Sequence, residues 1–126
     1  MKTILLENNE VTIELEDGII NALWKSSDID LIVAQQAVKY RLECTNYKLY
    51  PMLSNIKSIE NITKEARDFL ASEKGCEGII AAAILINSVL GSMIGNFWIR
   101  INKPLRPTKL FTDEDEAKKW LANYVQ

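Results

Sequence analysis

A chain of 126 residues with 48% apolar and 25% charged side chains has the composition of one ordinary globular domain, far from the low-hydrophobicity regime of disorder. Its net charge of −2 provides no global field to gather nucleic acid or an anionic membrane. Histidine is absent, which excludes histidine general bases, Ser-His and Cys-His nucleophile pairs and histidine metal sites, and two cysteines are too few for structural zinc.

The opening MKTILLENNE holds only a short apolar run, too short for the core of a signal peptide, so a cytoplasmic protein with Cys44 and Cys76 as reduced thiols is expected. TILLE reads as a first strand, turned by Asn8-Asn9 into a meander. In VTIELE, residues 11–16, Val11, Ile13 and Leu15 alternate with Thr12, Glu14 and Glu16, the pattern of a half-buried antiparallel strand. Asp17-Gly18 is a preferred two-residue hairpin turn, and IINALW returns as the partner strand.

The period then changes. Ser27 followed by Asp30 resembles a capping box, and Leu31, Ala34, Val38 and Leu42 recur at helical spacing, which predicts a helix over about 28–44. YKLYPML is a short strand that ends or bulges at Pro51. Thr63 can cap a short helix with Ala66, Phe69 and Leu70 on its inner face and a stop at Gly75. At the C-terminal end, TKLF reads as a strand and Thr112 as the cap of a last helix, DEDEAKKWLANYV. Acidic residues fill its first turn, and Ala117, Trp120, Leu121, Tyr124 and Val125 form one stripe.

Residues 78–99, GIIAAAILINSVLGSMIGNFWI, are uncharged and long enough to span a membrane. The two halves obey different rules, however. IIAAAILI is continuously apolar, as in a strand buried on both faces. After Asn87-Ser88, Leu90, Met93, Ile94, Phe97 and Ile101 fall on one helical face, opposite Ser92, Gly95, Asn96 and Arg100, and a lipid-exposed helix has no use for a polar face. The reading is strand, capped turn and amphipathic helix rather than a span. Gly91 and Gly95 then imply close backbone packing against the sheet or a second subunit.

The resulting order, β-β-β-α-β-α-β-α-β-α, describes an α/β single domain over residues 1–126: a mixed sheet that begins as an antiparallel meander and continues through right-handed crossovers. A ligand or partner site is expected at the carboxyl ends of its strands.

Two stretches resemble the SpoIIAA-like domains of the STAS/SEC14 type found in small bacterial proteins. FTDEDEAKKWL, residues 111–121, looks like the closing motif of that family. INSVLGS, residues 86–92, sits where STAS anti-sigma-factor antagonists carry Asp-Ser-Ser-Gly-Leu-Gly, with the second serine phosphorylated. On that match Ser88 falls at the phosphoacceptor and Leu90-Gly91 at the Leu-Gly, while Ile86, Asn87 and Val89 replace the aspartate, the first serine and the glycine. Ser88 therefore has two readings, as a helix cap and as a phosphoacceptor at a helix start that favours an anion.

The resemblance implies a SpoIIAA-like fold and a non-enzymatic regulatory or interaction module with no cofactor. Its interaction turn would be Asn87, Ser88, Leu90 and Gly91, and its partner would be another protein or a second copy of itself as a homodimer. The SEC14 side implies an alternative, a carrier or sensor of a small apolar ligand. The ligand or partner surface would be Met93, Ile94, Phe97 and Trp98, with Leu90 in the pocket. Arg100, Lys103, Arg106 and Lys109 cluster around KPLRP and read either as a basic rim or as a solvated loop. Trp24, Trp98 and Trp120 read either as the lining of a lipid or small-molecule pocket or as core packing, two of them lying on core-directed stripes. The carboxylate pairs Glu14/Glu16 and Asp113/Asp115 have structural explanations, and beside Cys76 the sequence places nothing basic beyond Lys74, so no catalytic or metal site is expected.

Overall fold

The computed structural model describes residues 2–87 and 105–126 of the chain. The meander forms as its alternation dictates: β1 (Lys2–Glu7), β2 (Val11–Glu16) and β3 (Ile19–Trp24) pair antiparallel in sequence order. Asp17 and Gly18 both take positive φ, 54° and 78°, the left-handed pair that a tight hairpin between twisted strands requires. Asn8 makes the earlier turn by accepting the backbone N–H groups of Glu10 and Val11 on its side-chain oxygen.

Two short elements interrupt the expected succession. Asp28–Ile29 is a strand, β4, and not the first turn of a helix; it pairs in parallel with β6 (Asn61–Ile62) as a small second sheet. Helix α1 therefore starts later than its periodicity suggests, at Leu31, and runs to Cys44. Its cap is Asp30, whose carboxylate accepts the Val33 N–H at 2.9 Å, rather than Ser27, whose backbone carbonyl is taken by the N–H groups of Glu60 and Asn61. The pairing across β4 and β6 draws the chain straight where a helix would otherwise begin.

Strand β5 (Tyr50–Asn55) continues past Pro51, and its register against the next strand shifts between Tyr50 and Met52. A proline has no N–H to give the ladder, so the bulge falls there. Thr63 caps α2 (Lys64–Ala71) by accepting the Ala66 N–H at 3.1 Å, and the helix ends at Ser72, before Gly75. Strand β7 (Ile79–Leu85) is followed, across the 88–104 stretch, by β8 (Thr108–Phe111) and α3 (Glu114–Ala122). The cap of α3 is Asp113, one residue beyond Thr112: its carboxylate takes the N–H groups of Asp115 and Glu116, a geometry open to the longer acceptor. The amphipathic helix expected after Ser88 lies outside the described residues.

The main sheet has the order β1-β2-β3-β5-β7-β8, antiparallel as far as β3 and parallel from β3 to β8. Strand alternation splits its side chains between two unequal covers. Ile19, Leu53, Ala81, Ala83 and Leu85 face α3, where Ala117 and Leu121 are wholly buried against them and Phe111, Trp120 and Tyr124 seal the edge. Val11, Ile13, Ile20 and Ala22 point to the opposite face, and Trp24 joins Ile29, Ala34, Ala37 and Ala66 under α1 and α2. The half of the 78–99 stretch that is described is thus a strand covered on both sides, and no helix among the described residues is long and apolar enough to cross a membrane.

The cap position is directly testable. Asp30→Ala removes the acceptor of a free helix N–H and is expected to lower unfolding free energy by about 1 kcal/mol in urea denaturation, whereas Ser27→Ala leaves it within about 0.5 kcal/mol of wild type.

Candidate functional site

The two faces of the sheet differ in how completely they are filled. Under α3 the contacts close. Under α1 and α2 a cavity of about 440 Å³ remains, floored by strands β2, β3, β5, β7 and β8 and roofed by the two helices. Its origin is compositional: four of the residues that line it, Ala22 and Ala82 on the strands, Ala37 on α1 and Ala71 on α2, are alanines. Side chains this short, on both strands and helices, fill little of the space between them. Larger apolar groups ring the space, among them Val11, Ile13, Ile84 and Ile86.

A few polar groups converge on this apolar volume. The Trp24 indole N–H donates to the Ser54 hydroxyl at 3.3 Å, so the largest ring in the floor is held in one orientation by a partner on the neighbouring strand. Arg41 comes from the buried stripe of α1, where Ala37, Val38 and Leu42 are its neighbours. Its guanidinium donates to the carbonyls of Glu77 at 2.8 Å and Gly75 at 3.2 Å, which fixes it at the end of the cavity where β7 begins. Burial pulls the guanidinium below its usual pKa, while Cys76, Cys44 and Glu77 nearby pull it back up; an arginine so placed keeps its charge. Arg106 reaches the same end from the segment before β8 and donates from Nε to the Ile79 carbonyl at 3.1 Å. Arg67, on α2, also lines the cavity, and its Nε is shut away from solvent with no acceptor.

The opposite mouth lies at the carboxyl ends of β5 and β7, where the fold was expected to put a site. Lys57, Glu60 and Asn87 stand there, all exposed. Asn87 approaches the Lys57 carbonyl at 3.5 Å through its side-chain amide. Of the other residues anticipated from the sequence, Ser88, Leu90, Gly91, Met93, Ile94, Phe97, Trp98, Arg100 and Lys103 lie outside the described residues. Arg106 and Lys109 do not share a surface: Arg106 lines the cavity, while the Lys109 ammonium lies 5.4 Å from the ring centroid of Phe111 on the α3 side. Trp120 packs between Phe111 and Tyr124, with ring centroids at 5.8 and 5.1 Å.

The other candidate groups have local structural tasks. Glu16 pairs with Lys118 at 3.3 Å and Glu14 with Lys2 at 3.6 Å, and Asp113 caps α3. No cluster of three metal-ligating side chains occurs among the described residues. Both cysteines are free thiols, and burial pushes the Cys44 thiol up. Sequence adjacency had offered Cys76 only Lys74, but the fold adds Arg41, 35 positions away and brought close by the packing of α1 on the 72–78 turn. Arg41 and Arg67 were not anticipated as site residues. The signal for Arg41 was a charged residue standing in phase with Ala34, Ala37 and Val38 on an otherwise apolar stripe.

With the geometry in place, the chain can be set against known proteins. It belongs to the family described as "Domain of unknown function (DUF7793)", whose model matches residues 13–125. Comparison with curated proteins finds no match. Among solved structures, an uncharacterised DUF3478-family protein with a SpoIIAA-like fold, from Shewanella loihica PV-4, superposes with a TM-score of 0.65 at 15% identity, over 96% of this chain and 95% of that one. A protein of unknown function from Arthrobacter sp. FB24 aligns with a TM-score of 0.33 at 26% identity, over 86% of this chain and 95% of that one. The fold is SpoIIAA-like, as the resemblance implied.

Gly78 takes φ of 79°, and a Cβ there would stand 3.0 Å from Leu42 Cδ2 and 3.3 Å from Arg41 Nη1. Gly78→Ala is expected to cost about 1–3 kcal/mol through backbone strain and displacement of Arg41, read as a lowered midpoint in thermal or urea unfolding.

Proposed function

We propose that this chain is a non-enzymatic binding module of the STAS/SEC14 type that takes a small, largely apolar ligand between its sheet and helices α1 and α2, as a sensor or carrier inside the cell. The observation that carries this reading is the cavity. Its volume of about 440 Å³ falls within the range of about 300–1,000 Å³ that small-molecule sites occupy, and it has the same character, a largely apolar recess with a few convergent polar groups. The alanines in its lining keep it open. The absence of histidine from the sequence and the structural roles of the described carboxylates support a binding role over catalysis.

A regulatory role fits the same geometry, since Asn87 belongs both to the cavity mouth and to the 87–91 turn that the STAS resemblance marks for interaction. An occupant of the cavity would touch the strand end immediately before Ser88. Partner binding or homodimerisation would then respond to ligand, and Ser88→Asp is expected to shift oligomeric state in size-exclusion chromatography with light scattering; unchanged behaviour would count against the interaction reading.

The ligand reading has its own test. Native mass spectrometry of freshly purified protein is expected to show a bound small molecule, released on denaturation. In Ala82→Leu the added side chain fills the floor of the cavity. That variant is expected to lose the bound mass while keeping or raising its melting temperature, a gain of about 0.5–2 kcal/mol being typical of cavity filling. A wild-type protein of apo mass that also fails to take up apolar probes, or an Ala82→Leu protein that still carries the ligand, would remove the basis of the proposal.

A further inference from the structure

Strand β5 runs between β3 and β7 in the parallel half of the sheet, and its alternation sends Leu53 to the α3 face and Ser54 to the cavity. Ser54 therefore stands in the floor between its register partners, Ala22 on β3 and Ile84 on β7. A hydroxyl has two capacities to satisfy, the proton it donates and the lone pairs that accept. The accepting side is engaged, since the Trp24 indole N–H donates to it at 3.3 Å. No acceptor among the described residues takes the proton. By contrast Thr45, a comparably buried hydroxyl at the end of α1, gives its proton to the Arg41 carbonyl at 2.8 Å. Ser54 keeps 9% of its surface accessible and lines the cavity, so a molecule lying on the floor can reach it. A donor left without a partner in apolar surroundings is costly, and a matching acceptor removes the cost.

We infer that the ligand carries a carbonyl group, whose oxygen accepts the Ser54 hydroxyl proton while the hydrocarbon part lies along Ala22, Ala82 and Ile84. This rests on the proposal that the cavity is a ligand site and adds the chemistry of the ligand's polar group. The indole N–H occupies the accepting side of the hydroxyl, so the O–H is turned away from Trp24 and the bond it receives strengthens the one it gives. Ala22 and Ile84 offer no side-chain acceptor beside Ser54, so a ligand alcohol would satisfy the serine and leave its own proton unpaired. A carboxylate would set a full charge on the same apolar floor against a single donor. A carbonyl accepts the proton and brings no donor of its own.

The test uses cyclic probes of nearly one shape, cyclohexanone, cyclohexanol and methylenecyclohexane, titrated into the full chain and followed by NMR. Ser54→Ala removes the proton and keeps the floor apolar, and comparing each probe between the two proteins cancels the differences in hydrophobicity. The substitution is expected to weaken cyclohexanone about three- to tenfold relative to methylenecyclohexane, the worth of one hydrogen bond, and cyclohexanol by less than cyclohexanone. In wild-type protein the protons beside the carbonyl of bound cyclohexanone are expected to give stronger nuclear Overhauser contacts to the Ser54 methylene than those across the ring, a readout that needs no variant to fold. Equal or greater weakening of either other probe, or a ring with no preferred end toward Ser54, would overturn the carbonyl assignment and leave the ligand site standing. Failure of every probe to bind would overturn both.

Discussion

Everything in this molecule hangs on the alternation of β7, whose three consecutive alanines belong to two different worlds. Ala81 and Ala83 face α3 and are wholly buried, and their small size lets that helix settle directly on the sheet with Ala117 and Leu121 in contact. Ala82 faces the other way, toward a roof that also presents alanines, and there the same small size leaves space. One residue type thus produces close packing on one face and a cavity on the other, and the difference is decided by what stands opposite. A period of two is what makes this possible, since neighbouring positions in a strand never share an environment.

Around that strand the parallel half of the sheet collects the groups that matter. Its amino-terminal edge is where Arg41 and Arg106 are pinned to the carbonyls of residues 75–79, and its carboxyl edge is where Lys57, Glu60 and Asn87 frame an opening. The antiparallel meander contributes Trp24, held by Ser54, and the Val11, Ile13 and Ala22 floor. The SpoIIAA-like fold supplies the scaffold, and small residues on its strands and helices leave space on one face.

Much of the architecture was legible in the sequence because it rests on local rules. VTIELE, Asp17-Gly18 and IINALW specify a hairpin through alternation and two positive-φ positions, and Pro51 announces its bulge through a missing donor. The helix starts were less legible. Asp30 rather than Ser27, and Asp113 rather than Thr112, became caps because the preceding chain is held in extended conformation, in the first case by pairing with β6, a contact with residues more than thirty positions away. The site was the least legible. A cavity is defined by atoms that are missing, and Ala22, Ala37, Ala71 and Ala82 each look like ordinary core residues until the fold brings them to the lining of one space. Arg67 shows no periodic signal of importance beside Lys64 and Asp68; it is half-buried, and only its place in the cavity lining distinguishes it.

The central claim is that, among the described residues, the sheet is tightly closed under α3 and leaves a cavity under α1 and α2. Crystals pressurised with xenon measure this most directly, since xenon enters apolar space of this kind. The account predicts anomalous density between Trp24, Ala82 and Ala37, or electron density for a molecule carried through purification in the same place, and none between β7 and α3. Side chains filling the volume under α1 and α2, with no xenon bound there, would contradict it.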